Sequence, residues 1–311
     1  MKKATTLSVL LITNSARTLA LLFTLSLLTS LQGAPGDPDD TLTFFGPRPI
    51  FTNGGKTNVI VDDFSWLDNY RADQQQTEIA ATISEWSQAG IGYAAYYALG
   101  AVESSDAIDA MGDAGKAYDL DGTALNSFMF TRSTHRDYLI DAGKTAIDLG
   151  ANYFMLDNAS LNLGTLSFDS ENISAFRDYL SANYTVGELA SMGVSDVSTF
   201  DYANYLKSVE GGSYTDTNSL DDNIPGDDLW YAWIEAVEAV ERAFYEQWTS
   251  ELRSYALSTY SRDIYLGANR SVGPNQWANI DKLDYAMSET FIDTLGYPYY
   301  NLDHVYKNAR N

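Results

Sequence analysis

A helix that passes directly into a strand is the feature that most constrains this fold. Between residues 134 and 149, apolar side chains recur at the spacing of one helical face, and Gly150 stands where that helix would end. The apolar run Asn152–Asp157 begins at once and has the length of a strand. So short a connection predicts a parallel sheet, and the unbroken apolar run predicts that both faces of this strand are covered.

The same alternation of strand and helix extends over most of the chain. Strands are predicted at residues 58–63, 92–98, 126–131, 152–157, 263–269 and 283–289. A Rossmann-type doubly wound sheet needs a G-x-G-x-x-G turn after its first strand, but the stretch Asp62–Trp66 follows here instead. A series of such units therefore predicts an α/β fold of the (β/α)8 TIM-barrel class.

This barrel is expected to be incomplete at its C-terminal end. About six βα units are found where a closed barrel has eight, so either the chain is a fragment or the barrel is open. The barrel domain is predicted for residues 58–311, with a helical insertion at about 168–228. The helix after this insertion carries Trp and Phe at helical spacing, which predicts packing in a core rather than a platform for a ligand.

The N-terminus has the composition of an export signal. Lys2, Lys3 and Arg17 precede the apolar run Leu19–Leu31, which is shorter than the roughly 20 residues that span a bilayer. A cleaved signal peptide is predicted for residues 1–33, with a retained anchor as the alternative. Residues 34–57 are rich in Gly, Pro, Asp and Thr and are interpreted as a linker or lead-in. The protein is therefore expected to be secreted or periplasmic.

The composition argues against several classes of partner. Acidic residues outnumber basic ones by 42 to 19, which is unfavourable for nucleic acid and for an anionic membrane surface. The chain has no cysteine, so it contains no disulfide and no thiolate metal site. Its only histidines, His135 and His304, are not at the spacing of a metal site or a triad. We expect no cofactor, no metal and no membrane contact after signal cleavage.

Polar and acidic residues follow four of the predicted strands. They are Asp62 and Asp63, Asp157 and Asn158, Asn269, and Glu289. Because all strands of a parallel barrel point the same way, their carboxyl ends converge on one face, where the active sites of such barrels lie. A pair of carboxylates on that face could supply a general acid and a nucleophile or base.

Each of these residues also has a structural interpretation. Asp157 could cap the turn after its strand, and Asn158 could be a residue of that turn. Asp62 and Asp63 could be solvent-exposed or could bind substrate. The amide of Asn269 could orient a sugar hydroxyl or a carboxylate. Glu289 and Asp157 are the candidates for catalysis, because their environments could separate their pKa values.

Two segments around this candidate site resemble a known group of enzymes. The run Asp148–Asn158 and the following Phe168–Leu180 are similar to bacterial glycoside hydrolases related to the family-42 β-galactosidases. The shared pattern is a helix ending in Gly-Ala, a strand ending in Asp-Asn and a helix of the form F-x-x-Y-L. The segments Tyr265–Asn269 and Asp284–Glu289 also resemble late strands of that group. This resemblance covers residues 58–310 and implies a secreted enzyme that acts on a carbohydrate substrate.

The chain departs from the family-42 pattern at its catalytic positions. That family places a Glu after an Asn on the fourth strand and a second Glu on the seventh, whereas here the fourth strand ends in Asp157-Asn158. A fourth-strand Asp with a sixth-strand Glu is more similar to the dextranase-like barrel glycosidases. This layout implies Asp157 as nucleophile or stabilising carboxylate and Glu289 as proton donor.

Two other functions are compatible with the sequence. A non-catalytic carbohydrate-binding protein on a degenerate barrel would fit the missing strands. A polysaccharide lyase would need a base and a cationic group beside an acidic sugar, and the chain has no obvious basic cluster for that role. The glycoside hydrolase is therefore the leading hypothesis.

Overall fold

The computed structural model describes residues 41–44, 57–61, 73–98, 111–157, 167–209, 225–270 and 280–288. All of them belong to one compact unit that begins at Thr41. The predicted signal peptide at 1–33 and His304 lie outside the described residues. Across the described ranges, no helix has the combined length and apolar character needed to cross a bilayer.

The described part of the chain contains eight strands and six α-helices. The strands are β1 (Thr41–Phe44), β2 (Thr57–Val61), β3 (Gly92–Ala98), β4 (Lys116–Tyr118), β5 (Ala124–Phe128), β6 (Tyr153–Asp157), β7 (Tyr265–Arg270) and β8 (Tyr285–Ser288). The α-helices are α1 (Asp73–Gln88), α2 (Ser133–Leu149), α3 (Ser170–Asn183), α4 (Val186–Ser191), α5 (Tyr202–Ser208) and α6 (Asp228–Tyr260). Short 3-10 helices occupy Gly112–Gly115 and Ile280–Lys282.

Six of the strands form one parallel sheet. Their order is β1-β2-β3-β6-β7-β8, and every neighbouring pair is parallel. Each strand thus lies beside the sheet strand that precedes it in the chain, whereas the order of a doubly wound sheet reverses at a switch point. The predicted α/β class with a parallel sheet is confirmed. Closure into a barrel stays a prediction, with β1 and β8 at the two ends of the described order.

The membership of this sheet differs from the prediction at two strands. The strand predicted at 126–131 is observed as β5, which pairs antiparallel with β4 in a separate hairpin. The prediction was wrong because β4 has only three residues, too few for a recognisable strand pattern, and the chain turns at Asp121-Gly122 to form the hairpin. The sixth parallel strand is instead β1, which lies within the segment 34–57 that was interpreted as a lead-in. Four residues between Gly- and Pro-rich stretches give too weak a pattern to recognise.

Helix α2 ends as predicted but begins differently. Gly150 takes the left-handed conformation with φ of 110°, and this confirms it as the residue that ends the helix. The hydroxyl of Thr134 and the carboxylate of Asp137, three residues apart, have the spacing of a capping box, but the N-cap is Arg132 and its side chain makes no capping bond. The exposed N–H of Ser133 instead donates to Glu171 Oε2 at 2.8 Å. The cap is therefore supplied by α3, which the local sequence could not show.

One face of the parallel sheet packs against helices in the first hydrophobic core. Side chains of α1, α2 and the C-terminal half of α6 cover Tyr93, Ala95, Phe154 and other residues of β3, β6 and β7. The indole ring of Trp248 on α6 meets Phe154 edge-on, with ring centroids 6.4 Å apart. The Trp and Phe residues of α6 are thus core residues, as predicted.

The insertion between β6 and β7 has a second hydrophobic core. Helices α3, α4 and α5 enclose it together with the N-terminal half of α6, from Leu229 to Val237. Trp233 lies at its centre, stacked on Phe168 with ring centroids 5.1 Å apart. The core of the insertion predicted at 168–228 therefore continues into α6, because one helix of 33 residues serves both cores.

This sharing of α6 predicts that the two cores unfold together. Trp233→Ala in the second core and Trp248→Ala in the first should each lower the free energy of unfolding by about 3–5 kcal/mol, because both rings are fully buried. Both variants should shift the same transition in urea denaturation followed by circular dichroism. Tyr231→Ala, at an exposed position of the same helix, is the control and should change the free energy by about 0.5 kcal/mol or less. Two separate transitions, with Trp233→Ala affecting only one, would contradict the prediction.

Candidate functional site

The two faces of the parallel sheet can be told apart from the packing of β6 and β7. Phe154 and Leu156 belong to the first core beside the helices. Because successive residues of a strand alternate between faces, Tyr153 and Met155 take the opposite face. Both are buried, and the ring of Tyr153 stacks on Tyr265 of β7 with centroids 5.1 Å apart. Each face of β6 is therefore covered, as its continuous apolar sequence predicted.

Asp157 and Asn269 take neighbouring positions at the carboxyl ends of β6 and β7. Leu156 is the register partner of Ala268, and Asp157 and Asn269 are the residues that follow them. By the same alternation, both positions continue the series on the face opposite the helices. The structure thus brings the backbones of these two predicted residues together at one edge of the sheet. Their functional roles stay predictions.

The other predicted residues lie outside the described part of the chain. Asp62 and Asp63 follow directly after β2, and Asn158 follows Asp157. Glu289 follows Ser288, the register partner of Arg270 at the end of β7. These residues are therefore attached to the carboxyl ends of three strands of the sheet.

A buried polar cluster that the sequence analysis did not predict lies at the N-termini of α2 and α3. We refer to Arg132, Ser167, Asp169 and Asn172 as the Asp169 cluster, and all four residues are at most 9% exposed. Asp169 Oδ1 accepts from Arg132 Nη1 at 2.5 Å, and Oδ2 accepts from Ser167 Oγ at 2.6 Å and Asn172 Nδ2 at 2.8 Å. Asp169 also caps α3 through the N–H groups of Glu171 and Asn172. Its buried charge is thus compensated by a cation and a full set of donors.

The Asp169 cluster joins three parts of the chain. Arg132 Nε donates to the carbonyl of Ala114 at 3.0 Å, next to the β4–β5 hairpin. The N–H of Tyr118 on β4 donates to Ser167 Oγ at 2.9 Å, and the N–H of Phe168 donates to the carbonyl of Tyr118 at 2.8 Å. The start of the insertion is therefore fixed to the hairpin and to the N-terminus of α2. An N-cap Asp before α3 could have been found from the sequence, but its pairing with Arg132 could not.

His135 and Glu241 are also buried among the described elements. His135, in the first turn of α2, has its pKa lowered to about 4 by burial, which the carbonyl of Met129 opposes in part. Its imidazole is therefore neutral at physiological pH. Glu241 is 5% exposed and lies on α6 between the residues of the two cores. In the described ranges, no group of three or more His, Asp or Glu side chains has the arrangement of a metal site.

Comparison with known proteins gives a short sequence match. No family model matches the chain, so the resemblance to the family-42 enzymes stays a prediction. An α-agarase of Thalassotalea agarivorans is 37% identical over 51 residues, which make up 16% of this chain and 3% of that protein. The chain therefore spans only a small part of the length of this curated relative.

Three solved structures are similar to the chain at low identity. Aspergillus fumigatus Ega3, in complex with galactosamine, matches 86% of this chain and 70% of its own, with 14% identity and a TM-score of 0.42. The agarase AgWH50C matches 77% of this chain and 31% of its own, with 12% identity and a TM-score of 0.36. The glycoside hydrolase domain of PelA from Pseudomonas aeruginosa matches 82% and 96%, with 13% identity and a TM-score of 0.30. TM-scores below 0.5 do not establish a shared fold.

The buried His135 predicts a specific dependence of stability on pH. Its pKa is about 4 in the folded chain against 6.5 for a solvent-exposed histidine, so the unfolded chain binds the proton first as the pH falls. The contribution of His135 to stability is present above pH 6.5 and is lost between 6.5 and about 4, an effect of about 3 kcal/mol. His135→Gln removes this titration, so its free energy of unfolding should fall less steeply than that of the wild type over this window.

Chemical denaturation at several pH values measures the two slopes. Arg136→Gln in the same turn of α2 is the control, because arginine does not titrate in this range and the wild-type slope should persist. Equal slopes for the wild type and His135→Gln would show that His135 is not held neutral by burial.

Proposed function

We propose that this protein is a secreted glycoside hydrolase that cleaves O-glycosidic bonds of a polysaccharide or oligosaccharide with two carboxylates. The observation that carries this proposal is the position of Asp157 and Asn269. They are neighbours at the carboxyl ends of parallel strands, and the active sites of α/β barrels lie at these ends. The short match to an α-agarase supports a polysaccharide as substrate.

In the proposed site, three adjacent strands carry three different groups. Asp157 ends β6, Asn269 is near the end of β7, and Glu289 follows β8. Since neighbouring strands are about 4.8 Å apart, the backbones of β6 and β8 are separated by about 10 Å. If their side chains converge, the two carboxyl groups could be separated by about 5–5.5 Å, as in retaining enzymes, or by about 6.5–9.5 Å, as in inverting ones. The amide of Asn269, between them, would bind a hydroxyl of the sugar.

In the proposed mechanism, one carboxyl group donates a proton, and the other acts as nucleophile or stabilises positive charge. Glu289, protonated, would donate its proton to the glycosidic oxygen as the leaving group departs. Asp157, ionised, would either attack the anomeric carbon or stabilise the positive charge that develops on the sugar ring. The acidic surface of the chain, with a net charge of −23, suits a neutral glycan better than a sulfated or uronate-rich one.

Isosteric amides at the two carboxylates test this proposal. Asp157→Asn and Glu289→Gln should each reduce kcat by about 100-fold or more while the protein stays folded, because each removes a proton-transfer or charge-stabilising group. Release of reducing ends from agarose and from a panel of neutral glycans measures the activity. Asp141→Asn, an exposed carboxylate on α2, is the matched control and should keep full activity.

Two results would contradict the proposal. Full activity in both variants would exclude Asp157 and Glu289 as the catalytic pair. A wild-type chain that binds these glycans but cleaves none of them would instead support the non-catalytic carbohydrate-binding protein. If cleavage occurs, proton NMR of the first product gives its anomeric configuration and separates retention from inversion.

A further inference from the structure

Asp284, the residue directly before β8, forms two hydrogen bonds with Leu266 of β7. Its N–H donates to the carbonyl of Leu266 at 2.8 Å, and its Oδ2 accepts from the N–H of Leu266 at 2.8 Å. In a regular parallel ladder, both groups would bond to the backbone of the neighbouring strand. Here the chain before Asp284 forms the 3-10 helix Ile280–Lys282, and the Asp284 carboxylate accepts in place of a strand carbonyl. The side chain thus completes the ladder where β8 begins.

The N–H of Leu266 is a buried donor that needs this acceptor. Leu266 is fully buried, and a buried N–H without a partner is unfavourable. The preceding N–H, that of Tyr265, donates to the carbonyl of Asn152 beside β6. Because successive amides of a strand point to opposite neighbours, the N–H of Leu266 is directed toward β8. The bond to Asp284 therefore satisfies a donor that β6 cannot reach.

Ion pairs also join the segment before β8 to helix α6. Arg253 Nη2 donates to Asp284 Oδ2 at 2.9 Å, and Arg242 Nη1 lies 3.4 Å from Asp281 Oδ1. The four side chains are between 31% and 56% exposed, so each pair contributes little to stability. The two carboxylates differ in one respect, because Asp284 also bonds the backbone of β7, whereas Asp281 pairs with cationic side chains.

The register of β8 decides which of its residues share a face with Asn269. Apolar and polar residues do not alternate along the four residues Tyr285–Ser288, so their sequence defines the register only weakly. In the observed register, Ala286 pairs with Ala268 of the first core, and Met287 pairs with Asn269 on the opposite face. A slip by one residue would exchange the two faces for every side chain of β8.

We propose that Asp284 is a positioning residue that sets the register of β8 against β7, and thereby the face on which Glu289 enters the site. Met287 and its partner on β7 share one face, and Glu289 is the next position of that series. A slip by one residue would bring Ser288 or Thr290 to this position, and a hydroxyl cannot replace the carboxylic acid as proton donor. This inference rests on the proposed function.

The two carboxylates before β8 supply a matched experiment. Asp284→Ala removes the acceptor of the Leu266 N–H, whereas Asp281→Ala removes only exposed ion pairs. In assays well below both melting temperatures, Asp284→Ala should reduce kcat about 10- to 100-fold, with a smaller change in KM, since small misplacements of reacting groups have effects of this size. Asp281→Ala should keep kcat within about twofold of the wild type, because exposed ion pairs contribute little.

Hydrogen exchange of the Leu266 amide, followed by NMR, reports the register bond directly. Exchange should be faster in Asp284→Ala and unchanged in Asp281→Ala, because only the first variant removes the acceptor. Asp284→Asn keeps an oxygen that can accept this bond but loses the charge that pairs with Arg253. It should restore slow exchange and most of kcat. A loss of kcat without faster exchange at Leu266 would contradict the register mechanism.

A longer side chain keeps the test decisive if Asp284→Ala fails to fold. Asp284→Glu retains the charge beside Arg253, but its carboxylate is one methylene farther from the backbone, so the bond to Leu266 is displaced. This variant should fold and reduce kcat several-fold. A purely structural role would leave kcat of folded Asp284→Ala and Asp284→Glu unchanged, and that result would overturn the inference.

A double-mutant cycle tests whether Asp284 acts through Glu289. If it does, Asp284→Ala should reduce kcat much less in a Glu289→Gln background than in the wild type, because the group that it positions is already lost. An equal reduction in both backgrounds would show that Asp284 does not act through Glu289.

The remaining outcomes separate this inference from the proposed function. If the wild type is active and Asp284→Ala and Asp281→Ala have equal kcat values, the inference is wrong and the glycoside hydrolase stands. If the wild type cleaves no glycan of the panel, both the proposed function and the positioning role are wrong.

Discussion

The arrangement of strands and helices in this structure depends on one requirement, that a parallel sheet be covered by packed side chains and not exposed to water. Parallel strands need crossover connections, and the helices in these connections pack on the sheet. Here α1, α2 and half of α6 cover one face of β3, β6 and β7. The contact between Phe154 on β6 and Trp248 on α6 lies in this layer. The order of the six strands follows from the same requirement, because each crossover leads to the adjacent strand.

Helix α6 connects the insertion to the helical layer that covers the sheet, because it contributes residues to both cores. Its residues from Phe244 onward belong to the core under the sheet, and its residues up to Val237 belong to the core of the insertion. A sharp kink between these two regions would disrupt the backbone hydrogen bonds of the helix, so the helix can only curve gently there. The insertion is therefore held in a defined orientation relative to the sheet, and the buried Glu241 lies where the two cores meet.

An arginine contacts each end of helix α2. At the amino side of the sheet, Arg262 binds helix carbonyls and lies over the ring of Tyr260, with its guanidinium carbon 5.4 Å from the ring centroid. At the other end of α2, the Asp169 cluster joins the N-termini of α2 and α3 to the region of the β4–β5 hairpin. Buried and half-buried polar contacts thus fix both ends of α2, in addition to the apolar packing of this helix on the sheet.

Local patterns determined much of this protein from sequence alone. The helical face before Gly150, the apolar β6 and the aromatic stripe of α6 were all recognisable, because periodicity and glycine conformation are properties of short segments. Tertiary structure alone decided that β1 joins the sheet and that β5 leaves it, because strand pairing depends on distant partners. It also decided that Glu171 caps α2 and that Arg132 meets Asp169, since these contacts join residues 38 and 37 positions apart. No local pattern encodes such contacts, and only the packing of the helices on the sheet brings them together.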